Sequence, residues 1–83
     1  MKRDIKAIAT LLATQSMINL GEIADPLTKT TSINLSGAKI FIDLVEVLKK
    51  KTKGNLSDEE DQFMKDVLSN LKKVYQNKAK RGN

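Results

Sequence analysis

Four carboxylates, Glu22, Asp25, Asp43 and Glu46, are the residues of this chain with the best claim to chemistry. Two of them together could form a hydrolytic acid–base pair or share a Mg²⁺ ion, which takes oxygen ligands. Asp43 and Glu46 are three residues apart and fall on one helical face, and the loop acids could fold over it. Lys39 and Lys50 flank the same face, however, and ordinary ion pairs across a helical turn satisfy it. Histidine and cysteine are both absent. Their absence removes the usual general base near neutral pH, the commonest transition-metal ligand, thiol nucleophiles and disulfides. No glycine-rich phosphate loop, Ser/His arrangement or metal-ligand spacing occurs. The residues therefore point away from an enzyme, with no catalytic residue, no metal site, no cofactor and no evident small-molecule substrate.

The cations raise a different chemistry. The run KKKTK, residues 49–53, suggests phosphate binding, but lysines at a helix C-terminus also complement the helix dipole. A tight connection from Gly54 to Ser57 is expected to turn the next helix back, setting KKKTK beside the acidic DEED run at 58–61. The last segment, Val67 to Asn83, carries Lys72, Lys73, Lys78, Lys80 and Arg81 and no acid. Taking those five from the 15 basic residues leaves 10 against 10 acids, so the net charge of +5 resides in this segment. It could hold RNA, a ribosome or an acidic partner weakly and with strong salt dependence. The competing reading is a solvated basic tail.

Three helices position these groups. The first is expected from about 4 to 20, with Ile5, Ile8 and Leu12 on one face and Leu11 and Ile18 widening it. Gln15 and Asn19 sit within that stripe and need partners if buried. Gly21 ends the helix, because glycine enters the left-handed region readily. The connection from Glu22 to Ile33 is long, turns at Asp25-Pro26, and has Ile23, Leu27 and Ile33 as candidate apolar anchors. KTTSI, residues 29–33, is rich in β-branched types, and a short strand there is an open alternative. The second helix, about 35–51, starts at Asn34 or Ser36. Its polar stripe of Lys39, Asp43, Glu46 and Lys50 is narrow, and the rest of its circumference is apolar. Such a helix belongs in the middle of a bundle or at an interface. After Gly54, Ser57 and Glu60 form a capping box opening a third helix, about 58–77. The expected fold is all-α: a small three-helix bundle, an antiparallel hairpin plus an N-terminal helix, with a long ordered loop between helices one and two. It is a single domain over 1–78, followed by a basic tail at 79–83.

Eighty-three residues build only a small core, and cores of this size are often supplemented by association. The side of helix one carrying Ala9, Thr10, Ala13, Thr14 and Met17 has no charge after Lys6 and small residues for close approach. It is the candidate interface for a homodimer or higher oligomer, against the alternative of an uncharged but solvated face. The uncharged run from Ala7 to Leu20 is 14 residues, short of the roughly 20 that span a bilayer. The N-terminus resembles a secretory signal only faintly, since Asp4 interrupts its basic region and the apolar part is short. A cytoplasmic interaction module, free of the membrane, is the leading expectation. A nucleic-acid- or ribosome-associated accessory protein is the alternative.

The succession GEIADP, then INLSGAKIFIDLVEVLKKKTKGNLSDEE, then a helix ending in LKKVY resembles a small bacterial family catalogued as a domain of unknown function, number eighteen forty-four. The likeness covers about residues 8 to 76, and KTKGNL is its most distinctive segment. It implies a short, mostly helical, cytoplasmic protein and carries no activity, cofactor or ligand. The chain departs from the family's pattern at Ala24, where Pro is common, and at Lys29, where a glycine turn is usual.

Overall fold

The computed structural model describes residues 5–81, which form three α-helices and no strand: α1 (Ile5–Asn19), α2 (Leu35–Lys51) and α3 (Asp58–Arg81). Lys6 pairs with Glu59 at the two helix starts, and Glu22, just past α1, pairs with Lys78 near the end of α3 at 2.8 Å. α1 and α3 therefore run parallel, with α2 antiparallel to both. The result is an up-down-up bundle with a long loop between α1 and α2.

Local signals set the helix ends. After α1 the Gly21 and Glu22 N–H groups donate to the carbonyls of Ile18 and Met17 at 3.1 and 3.0 Å. Gly21 sits at φ 78, which this wrap needs. Asn34 caps α2, its Oδ1 accepting from the Gly37 N–H at 3.0 Å. Thr52 closes α2 by donating its hydroxyl back to Leu48 O at 2.7 Å. The capping box is present in both directions: Glu60 N–H donates to Ser57 Oγ at 3.1 Å, and Ser57 N–H to Glu60 Oε1 at 3.0 Å. α3 continues past the expected Asn77 to Arg81, because nothing before Gly82 interrupts a helix and the Glu22 contact holds Lys78. The expected helix start at Asp4, and Gly82 and Asn83 of the expected tail, lie outside the described residues.

The core joins all three helices through Ala9, Ile42, Val45, Met64, Leu68 and Leu71, with Leu12, Met17, Phe41, Leu48 and Tyr75 half-buried. α1 is turned relative to the face expected for it. Ala9 and Ser16 are fully buried, whereas Ile8 and Leu11 are exposed. Small side chains let the backbones approach, and a larger residue at position 9 would force the helices apart. Ser16 tolerates burial because its hydroxyl donates to Leu12 O at 2.9 Å. Gln15 is exposed and needs no buried partner.

The long loop is organised chiefly by polar contacts, and of the expected apolar anchors Ile33 lies over Gly21. Leu27, Ile33 and Ile23 are all exposed. Asp25 N–H donates to Thr30 O at 2.9 Å, Lys29 N–H donates to Asp25 O at 2.7 Å, and Leu27 N–H donates to Asp25 Oδ1 at 2.7 Å. Asn34 N–H reaches Asn19 O at 2.6 Å and ties the loop's two ends together. Residues 29–33 form no strand.

Candidate interaction face

The four candidate carboxylates are dispersed. Asp43 pairs with Lys39 at 3.4 Å along α2, and Glu46 pairs with Lys72 of α3 at 3.4 Å instead of with Lys50. Glu22 is held by Lys78, and Asp25 is spent on its own turn. Among the described residues no group of three or more Asp or Glu side chains is placed to hold one metal ion. A shallow groove of about 350 Å³ runs between α2 and α3, floored by Ile42 and Tyr75 and edged by these two ion pairs. Its four charges are paired with one another, so it offers no unpaired charge to a ligand.

The basic groups are also partly engaged. Lys72 and Lys78, expected to be unneutralised, each meet a carboxylate. Lys73 and Lys80 are exposed and make no ion pair among the described residues, and the Arg81 side chain lies outside them. DEED is not paired with KKKTK. Glu59 takes Lys6, Asp61 takes Lys65 at 3.1 Å, and Glu60 closes the capping box. Lys6 also lies 5.6 Å from the Phe63 ring centroid, stitching the start of α1 to α3. Its hydrogen bond, and then its charge, hold the Glu59 carboxyl below the ordinary carboxylate value.

The expected interface residues divide. Thr10 and Thr14 are exposed, and the Thr14 hydroxyl donates to Thr10 O at 2.8 Å. Ala9 is sealed in the bundle's own core, and Ala13 and Met17 pack against that core. Intrachain packing takes Ala9 wholly and Ala13 and Met17 in part.

What α1 presents outward is the larger set. Its exposed positions are Ala7, Ile8, Thr10, Leu11, Thr14 and Gln15, none of them charged. α2 adds Ile40, Leu44 and Val47, and the five large apolar side chains are between 44% (Leu44) and 63% (Leu11) exposed. Geometry places them together. Gly37, whose added Cβ would come within 3.0 Å of Asn19 Nδ2, marks the side of α2 that meets α1, and Glu46 marks the side that meets α3. At 100° per residue, Ile40, Leu44 and Val47 lie on the outer side of α2 towards α1. On α1, Asn19 and Lys6 mark the sides facing α2 and α3, and Ile8, Leu11 and Gln15 lie outward towards α2. Both helices thus contribute to one outer face turned away from α3. By contrast, every exposed position of α3 among the described residues is polar or charged.

Two signals for this face were present in the sequence: the uncharged run Ala7 to Leu20 and the narrow polar stripe of α2. Which side of α1 turned inward was not among them. No curated protein and no solved structure matches the chain. No helix of the described residues is long and apolar enough to cross a membrane. The family model described as a domain of unknown function, DUF1844, matches residues 2–77, and the chain belongs to that family.

Proposed function

We propose that this protein is a non-catalytic, cytoplasmic interaction module that works through the outer face of α1 and α2. One observation carries the reading: five large apolar side chains stand half-exposed on adjoining helix faces, with no charge on the exposed side of α1. Roughly 500 Å² of apolar surface lies towards the upper end of what typical monomers expose, and patches of that size often mark contact sites. The engagement of all four candidate acids in ion pairs or turns supports a non-catalytic role.

A photo-crosslinking residue placed at Leu11 or Leu44 in living cells tests the reading. It should yield protein adducts at both positions and none at Asn70, on the solvated side of α3. Absence of adducts at Leu11 and Leu44 would remove the reading. The second reading, weak attachment to RNA or an acidic partner, rests on the exposed Lys73 and Lys80. Replacing both with Gln while watching retention on an RNA column tests it, and unchanged retention discards it.

A further inference from the structure

We infer that the partner seated on this face is a second copy of the same chain, related by a two-fold axis perpendicular to the helices. The inference rests on the interaction reading above and names its occupant.

The first argument is area. The five half-exposed side chains offer roughly 500 Å² of apolar surface, against the roughly 800 Å² per partner of a standard interface. The uncharged Thr14 and Gln15 beside them extend the face towards that value. An isologous contact uses the same patch twice, so both apolar faces leave water in one event.

The second argument is charge. The exposed side of α1 has nothing with which to recognise an acidic or basic partner. Laid against itself, it brings no like charges into contact. The lysine run at 49–53 stands at one end of α2. An axis parallel to the helices would bring two such runs to the same end, whereas a perpendicular axis sends them to opposite ends and avoids the repulsion.

The third argument is register. α1 and α2 are antiparallel and tied at Asn19 and Asn34. Asn19 also lies against Gly37, and counting from that contact sets Ile8 within one residue of Val47 and Leu11 within one residue of Leu44. Leu11 and Leu44 lie near the middles of their helices, so a perpendicular two-fold passing there sets α1 on α1 and α2 on α2. Each of these leucines then faces its own counterpart.

Because the chain contains no cysteine, single substitutions report this cleanly. Sedimentation of the full chain at micromolar concentration should give the dimer mass. Leu11→Cys and Leu44→Cys should each form a covalent dimer on mild oxidation, and Asn70→Cys should form none while keeping the dimer mass in sedimentation. Leu44→Lys should keep its helical circular dichroism while the dimer dissociation constant rises about tenfold or more. A folded monomer throughout the concentration range overturns the inference. So does a dimer in which neither leucine position cross-links, or one cross-linked only in a mixture of the two variants. If the chain is monomeric but Leu11 still captures a different protein in cells, the self-pairing fails and the interaction reading stands. If neither position captures anything, both fail.

Discussion

Lys29 adopts φ 62, a conformation that costs a side-chain-bearing residue about 1–2 kcal/mol. The turn demands it, since Asp25 engages both Lys29 and Thr30 through its backbone. It is also the position at which related sequences are expected to place a glycine turn. Lys29→Gly should therefore raise stability by about 0.5–1 kcal/mol, after the extra freedom of the unfolded chain is discounted. The urea midpoint checks this, and a drop would mean that the lysine side chain itself supports the loop. At the other end of the bundle, Lys6 lowers the Glu59 pKa in the folded chain. The stabilisation is present above the ordinary carboxylate range and is lost as pH falls through the lowered value. Glu59→Gln should remove that part of the acid dependence, read as a flatter thermal midpoint against pH. The effect should be small and screened by salt, because Glu59 is exposed.

Each helix illustrates what local sequence can and cannot specify. The caps were legible, because Asn34, Ser57 with Glu60, and Gly21 act within three or four residues of themselves. Ser57→Ala should cost about 1 kcal/mol, and thermal denaturation followed by circular dichroism checks it. The rotation of α1 was not legible. Its residues are apolar on two sides, so periodicity offers two inward faces, and size suggested Ile8 and Leu11. The bundle chose Ala9 and Ser16, because the distance between helices is a property of all three together. For the same reason the five candidate interface residues divide: Thr10 and Thr14 are exposed, Ala13 and Met17 half-buried, and Ala9 buried. The loop was legible at its Asp25-Pro26 turn but not in its exposure of Leu27, which is 90% accessible.

At the scale of the molecule, the bundle has one solvated flank and one apolar flank. If two copies close the apolar flank, folding and association are linked, and the thermal midpoint should rise with protein concentration. A concentration-independent midpoint would speak for a self-sufficient protomer. The two connections differ in length: six residues join α2 to α3, and fifteen join α1 to α2. Closing the longer span costs more chain entropy, by about 1 kcal/mol, so loop closure by itself favours the α2–α3 hairpin over the docking of α1. If α1 docks last and the face pairs two copies, nearly half of the contact surface arrives with that helix. On that order a nascent or partly melted chain would show its neighbours an unfinished docking platform, and assembly would be a checkpoint that only completed protomers pass.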